Sequence, residues 1–156
     1  DSGLTFVDGV PARSYFGTCG GCGRERRFRF RMPDPRDAPR STGLVTFGGP
    51  EPSQLLDPGE WLWVADLTAS RVPADDPAGA RYALSIAATA MNEILKFIPD
   101  GEPQVPPEVF RSERGRQLYA TEPARFNREL VLLVRDRYRD RLSQLPPVPG
   151  SVEERE

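Results

Sequence analysis

The sequence predicts an α+β protein in which a small antiparallel β module precedes a bundle of four to five α-helices. Residues 27–32 alternate strictly between arginine and apolar side chains, which is the period of a β-strand. After residue 57, apolar side chains recur every three or four positions behind Asp-Pro pairs, a pattern typical of capped helices. The 156 residues, 38% of them apolar, suffice for one real hydrophobic core.

The predicted β module spans residues 1–49 and is made of hairpins. Asp8-Gly9 is a strong turn signal between two candidate strands, Leu4–Val7 and Ala12–Thr18. A third strand covers Arg27–Met32, and the proline that follows ends it because proline cannot donate to a β-ladder. Residues 33–43 read as a polar linker, and a short extra strand is expected over residues 44–47.

The alternation in the third strand also predicts which side chains are buried, since successive residues point to opposite faces of a sheet. The residues expected on the buried face are Phe28, Phe30 and Met32. Those expected on the solvated face are Arg27, Arg29 and Arg31.

The predicted helical domain covers residues 50–145, and a disordered charged tail is expected over 146–156. Helices are expected over about 58–69, 77–98, 112–120 and 123–145. The apolar stripes of these helices predict one continuous core that holds the fold together. Its expected members are Trp61, Val64, Ile86, Met91, Ile94, Leu95, Phe126, Leu130, Leu133 and Tyr138.

The only two cysteines, Cys19 and Cys22, stand in a Cys-x-x-Cys-Gly turn between two strand patterns. Such a turn is half of a structural zinc site, because zinc takes four ligands and these are usually Cys or His. The chain has no histidine. We therefore expect zinc only if further ligands lie outside this chain. Two alternatives stay open, a thiol turn without metal and an active dithiol.

Residues 12–32, with this turn, resemble one half of a zinc ribbon. The wider pattern resembles uncharacterised proteins of high-GC bacteria that carry a ribbon-like module ahead of a helical domain. The stretches that carry this resemblance are Tyr15–Phe30, Phe47–Pro50, Pro52–Trp61, Leu95–Pro99 and Glu113–Arg116. In the ribbon pattern a second cysteine pair supplies the remaining ligands, and because the chain starts at Asp1 rather than Met, such a pair could precede it.

Two surfaces are candidates for binding a partner. A basic strand interleaves phenylalanines with Arg24, Arg26, Arg27, Arg29 and Arg31, and arginine beside exposed aromatic rings suits nucleic acid. The simpler interpretation of this strand is a solvated face above buried phenylalanines. Trp61 and Trp63 lie about 200° apart on a helix, so Trp63 marks a binding patch if that helix is not fully enclosed. A pocket is expected at the loop over residues 48–59 that leads to them.

The sequence offers no catalytic constellation. Without histidine, Ser-His and Cys-His arrangements are excluded. Acidic residues near helix starts, such as Asp57 and Glu60, are explained by capping and by the helix dipole. No stretch is apolar enough to span a membrane, and two cysteines do not form a secreted disulfide scaffold.

We therefore predict a cytoplasmic, non-enzymatic protein that binds another macromolecule. A protein partner is favoured, in a regulatory or toxin-neutralising role. One alternative is a nucleic-acid-binding ribbon protein that uses the strand from Arg24 to Arg31. Another is a thiol-disulfide oxidoreductase that uses Cys19 and Cys22.

Overall fold

The computed structural model describes residues 1–32 and 45–146. The chain divides into two compact units, Asp1–Thr42 and Gly43–Glu156. We call the first the β module and the second the helical unit. The α+β class predicted from the sequence is confirmed. The predicted linker and the charged tail fall almost entirely outside the described residues.

The β module is a three-stranded antiparallel sheet with the strand order β1-β2-β3. Its strands are β1 (Ser2–Val7), β2 (Val10–Thr18) and β3 (Glu25–Arg31). Asp8 and Gly9 both take positive φ angles, 51° and 78°, as a tight two-residue hairpin turn requires. The strand expected over 44–47 is not formed by its described residues, 45–47.

The described part of the helical unit contains four α-helices. They are α1 (Pro58–Ala69), α2 (Pro77–Leu95), α3 (Glu113–Thr121) and α4 (Arg128–Ser143). The last helix begins later than predicted, because Pro123–Phe126 forms a 3₁₀ turn. The carboxamide of Asn127 then caps α4 by accepting hydrogen bonds from the amides of Glu129 and Leu130.

The core of the helical unit is one cluster built on α1, α2, α4 and the turns between them. Its buried members are Trp61, Leu62, Ala65, Ala90, Met91, Ile94, Phe97, Ile98, Val105, Phe110, Phe126 and Val131. Among the predicted core residues, Val64, Leu95 and Tyr138 pack against this cluster at its margin, and Ile86 and Leu130 are half-buried. The prediction for Leu133 is wrong, since 55% of this residue is exposed.

Residues 45–49, which the sequence analysis assigned to the β module, are bound along α2. The amide of Val45 donates to Oγ of Ser85 at 2.8 Å, and Oγ1 of Thr89 donates back to the Val45 carbonyl at 2.9 Å. Further along, Nζ of Lys96 donates to the carbonyl of Gly49 at 2.6 Å. Two side chains of α2 and the residue that caps its C-terminus therefore bond to the backbone of this segment.

Candidate functional site

The cysteine pair forms a tight turn between β2 and β3. The Cys19 amide donates to the Arg24 carbonyl and the Gly23 amide donates to the Cys19 carbonyl, both at 2.9 Å. Gly23 has a φ of 68°, a conformation that favours glycine, which explains the glycine directly after the second cysteine. We call residues 19–23 the knuckle. Both thiols are free, with Cys22 exposed and Cys19 half-buried.

The two thiols of the knuckle lie close to each other. The pKa of the Cys19 thiol is lowered, chiefly because its Sγ accepts hydrogen bonds from the backbone amides of Gly21 and Cys22, with a further contribution from the Cys22 thiol. The thiols therefore lie within hydrogen-bonding reach of each other. A redox-active dithiol is favoured at the start of a helix. The knuckle instead lies between two strands.

The knuckle fits half of a zinc site. Backbone amides aimed at a sulfur stabilise the thiolate, which is the form that binds metal. Structural zinc takes four ligands, however, and the knuckle supplies Cys19 and Cys22 only. Within residues 1–32 and 45–146, no group of three or more Cys, Asp or Glu side chains is placed to hold a metal ion.

The β module has an uncovered face that carries most of its large apolar side chains. Cross-strand partners share a face, and the register pairs Tyr15 with Phe28 and Arg13 with both Leu4 and Phe30. We call this surface the aromatic face. Its large apolar members, all exposed, are Leu4, Phe6, Tyr15, Phe28, Phe30 and Met32. Tyr15 and Phe30 meet edge to face with their ring centroids 5.7 Å apart.

The prediction that Phe28, Phe30 and Met32 are buried is therefore wrong. Phe28 is 49% and Phe30 40% exposed, and Ala12 is the only buried residue among residues 1–32. Strict alternation shows which side chains share a face, but it does not show that anything covers that face. Nothing within the three-stranded module covers this one.

The arginines predicted to bind a partner are exposed and distributed over both faces. Arg26 shares the aromatic face with Arg13, whereas Arg27, Arg29 and Arg31 lie on the opposite face, as the alternation predicts. A depression of about 450 Å³ beside the knuckle is lined by Tyr15, Phe28 and Arg26, among others.

On the opposite face the arginines engage neighbours within the module. The Arg27 guanidinium lies 5.9 Å from the centroid of the Phe16 ring, and Arg31 forms an exposed 2.7 Å ion pair with Asp8. Arg24 stands at the end of the knuckle, where its carbonyl accepts the hydrogen bond from Cys19. The five arginines thus do not form one continuous patch.

A second surface lies on the helical unit around Trp63, which is 43% exposed, whereas Trp61 is buried in the core. The Arg114 guanidinium stacks over the Trp63 ring, 4.3 Å from its centroid. Beside them Arg125 forms a bidentate ion pair with Asp66, at 2.7 and 2.9 Å. These four side chains border a groove of about 470 Å³. We call this surface the Trp63 groove.

The pocket expected near the loop over residues 48–59 exists as an open groove of about 480 Å³. Pro52, Phe97 and Val109 contribute apolar walls, and Lys96 and Arg111 stand at its edge. Lys96 is already bound to Glu93 and to backbone carbonyls. Nothing in this groove combines convergent polar groups with an enclosed shape.

The carboxylate of Asp57 accepts more hydrogen bonds than the helix cap predicted from the sequence requires. It caps α1 as predicted, in a capping box with Glu60, and its Oδ2 also accepts from the amides of Arg111 and Ser112, at 2.9 and 2.6 Å. One buried carboxylate thus ties the start of α1 to the start of α3. Burial raises the pKa of Asp57 and is the largest single influence, but hydrogen bonds led by Ser112 and Glu60 together outweigh it and lower the pKa.

The acidic side chains that could do acid–base chemistry are thus held in caps and ion pairs. Asp57 and Glu60 cap α1, Asp66 binds Arg125, and Glu93 binds Lys96. These four acidic residues therefore have structural roles in the helical unit.

Comparison of the chain with models of protein families, with curated proteins and with solved structures finds no match. The resemblance to high-GC bacterial proteins therefore stays a prediction. No helix within the described residues has both the length and the apolar character needed to cross a lipid bilayer.

Proposed function

We propose that the β module binds single-stranded nucleic acid on its aromatic face. The observation that carries this proposal is the exposure of Tyr15, Phe28 and Phe30 on one face, with Arg13 and Arg26 among them. This arrangement shifts the balance from the protein partner that the sequence favours to the nucleic-acid alternative, because the phenylalanines are exposed rather than buried.

The first supporting argument is charge. Residues 1–32 contain six arginines against three acidic side chains, Asp1, Asp8 and Glu25. Arginine guanidinium groups bind phosphate through bidentate hydrogen bonds and remain charged at any physiological pH. The module is therefore complementary in charge to a polyanion, whereas the rest of the chain is acidic.

The second argument is the order of side chains across the face. Moving away from the knuckle, β3 presents Arg26, then Phe28 and then Phe30 at two-residue steps, each about 7 Å from the last. Tyr15 and Arg13 stand beside the two phenylalanines on β2. Rings and cations thus lie side by side on one exposed face, and bases stack on such rings with little sequence preference.

The test is fluorescence anisotropy with labelled single-stranded RNA and DNA of mixed sequence, using the full chain. Replacing Phe28 by alanine should weaken binding about tenfold, because stacking of one base is worth about 1–3 kcal/mol. The matched control is Phe16→Ala, since Phe16 is 45% exposed but lies on the opposite face. Equal effects of the two substitutions, or no binding at low salt, would contradict the proposal.

Salt dependence provides a second measurement on the same complex. If Arg13 and Arg26 each neutralise one phosphate, the logarithm of the binding constant should fall with the logarithm of salt concentration at a slope of about −1.4. The double substitution of these arginines by glutamine should remove most of that slope. Nucleic-acid binding that does not respond to salt would contradict the phosphate contacts assigned to Arg13 and Arg26.

A protein partner remains a second candidate, because a specific surface favours it. The Trp63 groove combines an exposed tryptophan with a stacked arginine, two residue types enriched at the energetic centres of protein interfaces. A protein captured by the native chain and by Tyr82→Ala, but lost with Trp63→Ala, would support this role. Tyr82 serves as the control because it is an exposed aromatic residue on α2. The regulatory or toxin-neutralising role belongs to this candidate.

A further inference from the structure

The knuckle holds two thiols next to each other beside an open depression. Its closing hydrogen bond, from the Gly23 amide to the Cys19 carbonyl, makes it a single tight turn. The first and fourth residues of a tight turn lie within about 7 Å of each other at their Cα atoms, and a disulfide spans about 4.4–6.8 Å. The thiols of Cys19 and Cys22 are already within hydrogen-bonding reach of each other. The turn therefore needs little rearrangement to close a disulfide.

Both thiols can be reached from solvent. Cys22 is exposed, and Cys19, although half-buried, lines the depression of about 450 Å³ beside the knuckle. The amides of Gly21 and Cys22 point at Cys19 Sγ, where they stabilise the thiolate, which is the form that attacks a disulfide. A disulfide that only forms and breaks within one chain does not need a helix start. It needs two adjacent thiols and access to them, and the knuckle has both.

We propose that the knuckle is a site of reversible oxidation, at which Cys19 and Cys22 form a disulfide by exchange with a small anionic disulfide such as glutathione disulfide. In the first step the Cys19 thiolate attacks one sulfur of glutathione disulfide, and the other glutathione leaves as a thiolate. In the second step the Cys22 thiol loses its proton and attacks Cys19 Sγ, which releases the second glutathione. Two protein thiols are thus oxidised, one glutathione disulfide is reduced, and the two thiol protons end on the two glutathiones. This inference goes beyond the proposed nucleic-acid binding and does not depend on it.

The charges around the knuckle favour an anionic disulfide over a cationic one. Directly after the knuckle, Arg24, Arg26 and Arg27 stand against a single acid, Glu25. Arg26 also lines the depression, as does the acidic residue Asp1, so the cations near the knuckle still exceed the acids. Glutathione disulfide is anionic, because each half carries two carboxylates and one ammonium group. A guanidinium at the depression can bind one of these carboxylates through charge-assisted hydrogen bonds.

The test uses the full chain, free of nucleic acid, reduced beforehand and kept under inert gas with a chelator that removes trace metal. Glutathione disulfide should lower the intact mass by that of two hydrogen atoms and release two glutathiones per chain. Trypsin should yield residues 14–24 as one peptide that contains both cysteines and no longer reacts with an alkylating agent. A phosphine reductant should restore the original mass and the reaction with the alkylating agent.

Substitution of each cysteine separates the two steps. Cys22→Ser lacks the thiol that completes the exchange, so it should stop at a stable adduct with one glutathione on Cys19. Cys19→Ser lacks the attacking thiolate, so it should gain glutathione more slowly than Cys22→Ser does. The neighbouring Thr18→Ser is the matched control and should form the disulfide as the native chain does.

The charge preference has its own pair of variants. Arg26→Gln should slow the reaction with glutathione disulfide about threefold, the loss expected when one charge pair at about 4 Å is removed in water with salt. The same substitution should speed the reaction with cystamine, which is a cationic disulfide. The matched control is Arg29→Gln, because Arg29 lies three residues further along β3 on the opposite face, and it should leave both rates unchanged.

Three results would overturn the proposal. A native chain that stops at the glutathione adduct, or that forms disulfides only between chains, would mean that Cys22 does not reach Cys19. Thiols that react with the alkylating agent but not with glutathione disulfide would mean that the knuckle is accessible and does not exchange. Equal effects of Arg26→Gln and Arg29→Gln would mean that the depression does not receive the disulfide.

Discussion

The helical unit buries a continuous cluster that runs through three of its helices, whereas the β module buries only Ala12 among its described residues. Both regions contain phenylalanines. In the helical unit Phe126 is fully enclosed, but in the module Phe28 is half exposed. The difference indicates that buried apolar side chains stabilise the helical unit. A sheet of three short strands buries few such side chains, and its stability depends on a partner that covers its apolar face. We therefore expect the replacement of phenylalanine by alanine to lower the free energy of unfolding much more in the helical unit than in the β module.

The largest effect should follow from truncating the enclosed phenylalanine. Phe126→Ala should lower the free energy of unfolding by about 3–5 kcal/mol, because it removes a fully buried ring and leaves a cavity. Phe28→Ala in the β module should change it by no more than about 0.5 kcal/mol. Urea denaturation measures both, followed by the helical circular dichroism signal for Phe126→Ala and by hydrogen exchange of the strand amides for Phe28→Ala. Similar losses for the two variants would mean that the aromatic face is covered in solution.

The next effect concerns the carboxylate that joins two helix starts. Asp57→Ala should cost about 2–4 kcal/mol, because it removes a cap and also leaves the amides of Arg111 and Ser112 without their acceptor. The matched control is Asp76→Ala, which removes an exposed cap of α2 alone and should cost only about 1 kcal/mol. If urea melts show equal losses of stability for Asp57→Ala and Asp76→Ala, the hydrogen bonds from Asp57 to the start of α3 do not contribute to stability.

The same carboxylate should make the helical unit sensitive to acid. Because the pKa of Asp57 is lower in the folded chain, its contribution to stability is fully present above the unfolded value of about 3.9 and is lost as the pH falls through the folded value. Urea melts between pH 7 and pH 2 should show this loss in the native chain. Asp57→Asn should flatten the profile over that window.

The smallest effect on stability is expected at the knuckle. Cys19→Ser should leave the unfolding of the helical unit unchanged within about 0.5 kcal/mol, since Cys19 belongs to the other compact unit of the chain. Chemical reactivity should report on the knuckle instead. Alkylation of Cys19 should become half-maximal at a lower pH than that of an ordinary thiol, because backbone amides lower its pKa. A pH profile for Cys22→Ser that matches that of free cysteine would contradict this expectation.

The features predicted correctly from sequence are those set by neighbouring residues. The Asp-Pro pairs at 57–58 and 76–77 mark the starts of α1 and α2, because a cap and the proline after it act within one turn. Asp8-Gly9 likewise fixes the first hairpin. The start of α4 was misplaced because Pro123 gives the same local signal for a 3₁₀ turn as for a longer helix.

The features missed depend on contacts between distant parts of the chain. Leu133 fits the apolar stripe of α4, yet 55% of it is exposed. Gly59 and Gly115 cross so closely that a Cβ on Gly59 would overlap the backbone of Gly115. Both glycines lie in stretches that carry the resemblance described above, Pro52–Trp61 and Glu113–Arg116. A single sequence does not reveal that these two stretches are in contact. For the same reason, alternation in β3 identified a face and could not tell whether it was covered.

The binding of residues 45–49 along α2 decides where this chain can be divided for separate study. A fragment beginning at residue 50, the boundary that composition indicates, would strip Ser85, Thr89 and Lys96 of their backbone partners and Trp61 of the Phe47 ring stacked 5.0 Å away. Each polar group left unsatisfied in this partly buried setting costs about 1–3 kcal/mol. An excised helical fragment should therefore begin at Val45 or earlier, and one cut five residues later would be judged unstable for reasons that have nothing to do with the β module.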